Sequence, residues 1–165
     1  MEQNTIEEYH PNGALRTRTH YLGKEVHCED GPAIKCFYQT GALKIREWHQ
    51  HNKRHRDDGP AYEYFYESGI YMARTWQIHG ERHRDDGPAY ESFYSNGNIS
   101  MRLWYTKDQY HREDGPALEH FSKDGQRTSA HYYLNGVSKR EKEYHRIIAL
   151  QKLSANHATD ETISL

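Results

Sequence analysis

The sequence predicts an all-β fold: a single-layer, elongated, twisted antiparallel meander of about ten strands, built from tandem 28-residue β-hairpin repeats and capped by a C-terminal amphipathic helix. Three observations in one register predict it. A seven-residue phrase returns as HCEDGPA at His27–Ala33, HRDDGPA at His55–Ala61, HRDDGPA at His83–Ala89 and HREDGPA at His111–Ala117, each start 28 residues after the last. A glycine series, Gly13, Gly41, Gly69, Gly97 and Gly125, keeps the same period. An aromatic series does so too: Trp48, Trp76, Trp104 and Tyr132, with His20 in the first slot.

The array spans residues 5–137 and opens with a half repeat, since Thr5–Gly13 aligns with Ala33–Gly41. Each repeat carries two turn signals. One is Asn12-Gly13, Thr40-Gly41, Ser68-Gly69, Asn96-Gly97 and Asp124-Gly125; the other is Gly23-Lys24, His51-Asn52, His79-Gly80, Lys107-Asp108 and Asn135-Gly136. Asn-Gly and Asp-Gly dipeptides between β-rich runs favour two-residue type I′ hairpins, which need two residues at positive φ. A short arm such as Ala42–Gln50 therefore alternates with a longer one such as Lys53–Glu67. The surplus in the long arm is the phrase itself. Pro60 has no N–H for a central ladder, so the phrase is expected to leave the sheet as a loop, with pairing resumed at Ala61 and the four loops stacked along one edge.

Strand alternation orients the side chains. Tyr9, Phe37, Phe65, Phe93 and Phe121 fill one slot and form a ladder on one face, while Ile34, Tyr62, Tyr90 and Leu118 line the other. In the short arm Arg18, Arg46, Arg74 and Arg102 share a face with the aromatic slot two residues later. An arginine beside an indole row can stack on it and hold a carboxylate at the same time.

The array ends where KREKEYH at Lys139–His145 replaces the phrase. Without Gly and Pro a helix becomes available, expected over residues 138–155. Ser138 and Glu141 form a capping box, and Tyr144, Ile147, Ile148, Leu150 and Leu153 form an apolar stripe that covers the last strand edge. Residues 156–165 are expected to be a flexible tail.

Ile, Leu, Val and Phe supply only 24 of 165 residues, too few for a deep aliphatic core, but aromatic residues make up 13% and net charge is only -2. A thin sheet with wet faces is therefore expected. A pI near 6.7 gives no global attraction to nucleic acid or anionic membrane. The sequence shows no secretory signal pattern and no apolar run of bilayer length, and Cys28 and Cys36 make no disulfide framework, so a cytoplasmic protein is expected.

Thirteen histidines raise a metal hypothesis. The phrase histidines recur two strands apart, about 9–10 Å, too far to share one zinc, so no metal or cofactor is expected. His-Arg-Asp without a phosphate loop does not make a catalytic site, and no catalytic residue is expected. Acids match bases, 24 against 22, which disfavours nucleic acid.

The stretch Trp76–His83, followed by Gly87-Pro88-Ala89 and Phe93-Tyr94-Ser95-Asn96-Gly97, resembles a MORN repeat, with the resemblance covering about Ile6–Gly136. It departs in its longer period and in the Asp-Gly-Pro-Ala kink. Divergent relatives with this wording resemble proteins of bacteria, phages and large viruses, including antitoxin-like variants. The resemblance implies a curved antiparallel scaffold that binds protein and brings no catalytic residues.

Together these readings give a non-enzymatic protein-binding scaffold, in the form of a phage or bacterial factor that inhibits or neutralises a host protein. The expected contact residues are Arg56, Arg84 and Arg112 on the loops, with Arg46, Arg74, Arg102, Trp48, Trp76 and Trp104 on the aromatic face. The alternative is a module that holds a nucleotide or sugar in an aromatic-arginine groove. Self-association through a sheet edge or the C-terminal helix is a further expectation, and membrane insertion is not expected.

Overall fold

The computed structural model describes residues 2–162, with side chains through residue 154. It is an open antiparallel meander, one twelve-stranded sheet in which spatial order follows chain order. Ten strands make its length: Gln3–Tyr9, Leu15–Leu22, Ile34–Phe37, Leu43–Glu47, Tyr62–Phe65, Tyr71–Thr75, Tyr90–Phe93, Ile99–Leu103, Leu118–Phe121 and Arg127–Leu134. Two short strands, Glu25–Val26 and Val137–Lys139, pair at its ends. Three two-stranded ladders lie beside it, such as His49–Gln50 with Lys53–Arg54. The short arm breaks at the tryptophan slot, so its two halves belong to different ladders.

The two turn edges differ. At the His51-Asn52 edge the predicted type I′ geometry forms, with φ of 50° and 65°, and Lys107-Asp108 repeats it at 50° and 61°. At the glycine-series edge the Gly41 N–H donates to the Tyr38 carbonyl and the Tyr38 N–H to that of Ala42, both at 2.9 Å. Positive φ there falls on Gly41 (85°) and not on Thr40. This is a three-residue loop, a type I turn closed by a left-handed glycine, and it corrects the type I′ expectation at this edge. A type I′ turn would also force Thr40 or Ser68 to positive φ, whereas the longer loop needs one such position and glycine fills it. The extra residue shifts the register at Cys36/Phe37, Tyr64/Phe65, Ser92/Phe93 and their equivalents, a bulge in each repeat.

Successive repeats are joined by bonds that recur at fixed offsets. Tyr38, Tyr66 and Tyr94 each donate a hydroxyl to the carbonyl of Phe65, Phe93 and Phe121, at 2.8, 3.0 and 2.8 Å. On the other side the N–H of Asn52, Gly80, Asp108 and Gly136 donates to the carbonyl of Val26, Arg54, Arg82 and Tyr110. Beside that row, Nδ1 of His55 accepts the His79 N–H at 3.1 Å and His111 the Asn135 N–H at 3.1 Å. His55 and His111 thus carry their proton on Nε2, which faces Asp57 in the case of His55. Ala33, Ala61, Ala89 and Ala117 are fully buried where each loop rejoins the sheet.

The helix runs Glu141–Thr162, past residue 155 where the sequence reading ends it; residues 163–165 of the expected tail lie outside the described residues. The capping box does not form. Ser138 is still paired in strand, because Tyr132 pairs with Lys139, and Glu141 accepts the Tyr132 hydroxyl at 2.8 Å. Of the apolar stripe, Tyr144 and Ile148 are buried against Leu134, with Ile147 and Tyr132 around them, while Leu150 and Leu153 remain exposed. The Tyr144 hydroxyl donates to the Arg112 carbonyl and accepts the Gly115 N–H, both at 3.0 Å, so the helix plugs the last loop. Among the described residues no helix is long and apolar enough to cross a membrane.

His55→Ala is expected to lower stability by about 1–3 kcal/mol, because the His79 N–H loses its acceptor near a buried site. His55→Asn keeps an acceptor near the Nδ1 position and recovers part of the loss. Urea unfolding of both variants checks the order.

Candidate functional site

The phrase loops are built on one closure. The Trp48 N–H donates to the Ala61 carbonyl at 2.9 Å, and the Trp48 carbonyl accepts the His55 N–H at 3.0 Å. Trp76 closes the next loop in the same way on Ala89 and His83, and Trp104 the last on Ala117 and His111. As the sequence predicts, the phrase leaves the ladder and pairing resumes at Ala61. Within the loop the guanidinium of Arg56 lies 4.1 Å above the Trp48 ring, Arg84 4.1 Å above Trp76 and Arg112 3.9 Å above Trp104. Each also donates through Nε to the second acid of its own phrase, Asp58, Asp86 or Asp114, at 2.5–2.7 Å. These hydrogen bonds hold the three carboxyls below their usual pKa.

The phrase glycine exists for this arginine. A Cβ built on Gly59 falls 2.9 Å from Arg56 Cζ, and one on Gly87 or Gly115 3.0 Å from Arg84 or Arg112. The need is space for a planar cation pressed on the backbone. In the first phrase Cys28 replaces arginine and Gly31 has open space around it.

The loop arginines are therefore held inside their own loops, with side chains only 20–24% exposed. The loops turn acids outward instead: Asp57 and Asp58 are 82% and 81% exposed, Asp85 and Asp86 93% and 82%. Glu113 and Asp114 continue the row. Adjacent loops repeat two strands apart, about 10 Å.

Along the middle of the sheet runs a second charged row. Arg46 stands opposite Glu63, Glu63 opposite Arg74, Arg74 opposite Glu91, Glu91 opposite Arg102 and Arg102 opposite Glu119. Arg46 donates Nε to Glu63 at 2.6 Å and Arg74 to Glu91 at 2.7 Å. Glu63, Glu91 and Glu119 are buried, and a buried carboxylate requires such partners. Arg46 and Arg74 also lie 5.5 and 5.2 Å from the Trp48 and Trp76 rings, as the shared-face reading predicts. The three glutamates escape a sequence reading centred on the arginines. Their signal was present, since each precedes a ladder phenylalanine by two residues, as in Glu63-Tyr64-Phe65.

Between the loops lie open grooves. The one between the third and fourth loops, about 900 Å³, is floored by Arg74, Glu91, Arg102 and Trp104; the one between the second and third, about 520 Å³, contains Trp76 and Ile78. Of the nine contact residues expected from the sequence, Arg56, Arg74, Arg84, Arg102, Arg112, Trp76 and Trp104 line these two grooves, and Arg46 and Trp48 line neither. Comparison of the chain with protein-family models, curated proteins and solved structures finds no match.

On the opposite face Glu47 accepts hydrogen bonds from Arg54 at 2.8 Å and His49 at 2.9 Å. Burial pushes its pKa up, but these two partners outweigh burial and bring it down to about 2 from 4.5. A depressed carboxylate stabilises the fold above its unfolded pKa and loses that contribution as pH falls through the folded one. Stability is thus expected to drop between pH 4.5 and about 2, with Glu47 contributing roughly 2 kcal/mol after solvent screening. Glu47→Gln flattens that part of the acid unfolding curve. A double-mutant cycle tests the loop: Gly59→Ala costs about 1–2 kcal/mol by moving Arg56 off Trp48, and nearly nothing in an Arg56→Ala background.

Proposed function

We propose that this protein is a non-enzymatic, MORN-like repeat scaffold of the cytoplasm that binds another protein through its loop ladder. One observation carries the reading: three successive loops hold the same arginine inward on tryptophan and turn the same pair of carboxylates outward. A closed loop of fixed shape loses little freedom when a partner binds. The outward charge favours a partner with a basic surface. A carboxylate pair every 10 Å or so matches basic residues seven apart on one face of a helix. Two free cysteines suit a reducing compartment. The antitoxin-like variants that the repeat wording resembles support a partner that is blocked or neutralised on binding.

Affinity capture from a lysate of the source cells tests this, with a variant carrying Asp57→Asn, Asp85→Asn and Glu113→Gln run alongside. These side chains face solvent, and none holds a loop arginine. The expected result is a dominant partner that elutes at raised salt and binds the variant roughly tenfold or more weakly. The same proteins in both lanes, or none in either, overturn the proposal.

A further inference from the structure

The Arg–Glu row is regular until its last arginine. Arg46 and Arg74 each donate Nε to the glutamate of the following repeat, Glu63 and Glu91. Arg102 stands opposite Glu119 in the same register. Glu119, however, accepts Nη1 of Arg127 at 2.8 Å, with Nη1 of Arg112 at 3.9 Å on its other oxygen. Arg127 occupies a slot that holds Leu15, Leu43, Tyr71 and Ile99 in the other repeats. Arg102 is left with a long contact to Glu91, 3.6 Å, and that carboxylate already accepts Arg74. Among the described residues Nε of Arg102 is buried without a hydrogen-bond partner, while the side chain as a whole is 37% exposed. The same side chain lines the groove between the third and fourth loops, whose lining also includes Trp104, and its guanidinium lies 5.6 Å from the Phe121 ring.

A buried guanidinium N–H without an acceptor is costly, and a carboxylate is the group whose geometry matches it. The surroundings narrow the ligand further. Of the other arginines in the groove, Arg74, Arg84 and Arg112 are each bonded to their own carboxylate, and the rim presents Asp85, Asp86, Glu113 and Asp114. The floor thus sets two arginines, Arg74 and Arg102, against one glutamate, Glu91, and leaves one positive charge in excess within an anionic rim. A small anion gains only the floor and is repelled by the rim. A polypeptide with an acidic side chain flanked by basic ones satisfies both.

We propose that the groove between the third and fourth loops is a receptor for an acidic side chain of a polypeptide, received by Arg102, with flanking basic residues on the rim carboxylates. This rests on the reading of the protein as a protein-binding scaffold and adds the chemistry its partner must present at one point.

The test uses the full chain and the probe peptide acetyl-Lys-Glu-Lys-amide, followed by NMR of the Trp104 indole N–H and the Arg102 Nε–H. A saturable shift of both signals is expected, with Trp48 unmoved. Arg102→Gln should weaken binding at least tenfold. Arg127→Leu, which restores the residue type of the other repeats, should do the same by releasing Glu119 to Arg102, and unchanged Trp48 and Trp76 signals would show that the fold is kept. Absence of a saturable shift, an equal response to acetyl-Lys-Gln-Lys-amide or to acetate, or full binding by either variant overturns the proposal. The peptide result is independent of the lysate capture, so the site and the scaffold reading can fail separately.

Discussion

Everything on the loop side of this protein depends on two backbone hydrogen bonds of one residue per repeat, His20 at the first loop and a tryptophan at the other three. The N–H and carbonyl of Trp48 close on Ala61 and His55, and the five residues between those partners are removed from the ladder without leaving it open. The cost of an inserted loop is mainly the entropy of bringing its ends together, and here a strand that would exist anyway holds them. The indole then becomes the platform on which the loop packs. Arginine lies on the ring, glycine makes room for the arginine, aspartate fixes it, and proline ends the excursion where no N–H is needed. The phrase is conspicuous in the sequence because each of its letters answers to that one ring.

The joints between repeats use different chemistry at each lateral position: tyrosine hydroxyls near the three-residue turns, the Arg–Glu row in the middle, and histidine with the turn N–H groups beyond. This explains how a chain so poor in aliphatic residues holds a sheet of this length. Apolar burial is confined to small patches, such as Ala89 with Leu103 and Tyr105, and Tyr144 with Leu134 and Ile148. Stability in such an array is a sum of neighbour terms, and polar bonds formed at every junction supply part of each term. The helix fits the same logic. Tyr144 satisfies two backbone groups of the last loop, which has no further repeat to meet.

The strands, the excursion at the phrase and the arginine–tryptophan face were legible in the sequence because periodicity and proline chemistry are local. Three features were not. The turn at Gly41 depends on how many residues the loop takes, and Thr-Gly reads alike in both geometries until Thr40 is seen away from positive φ. The inward position of Arg56 depends on the tryptophan of the preceding arm, so its charge reads as exposed until the fold brings that ring beneath it. The helix start depends on Tyr132 continuing to pair as far as Lys139, a tertiary fact that overrides the Ser138 signal. The glutamates of the middle row were in plain view at fixed spacing, but their burial follows only from the register.

The fixed offsets of the joints have a genetic consequence. Tyr38 reaches Phe65 and Tyr66 reaches Phe93 by the same number of residues, and the histidine and turn bonds keep offsets of their own. A recombination event that removes or duplicates one whole period from within the array therefore brings together ends that already match, and the tyrosine and turn N–H joints re-form with a new neighbour. Copy number can change in single steps while the loop spacing stays constant. The array is in effect a ruler whose length can evolve without its graduations being redrawn.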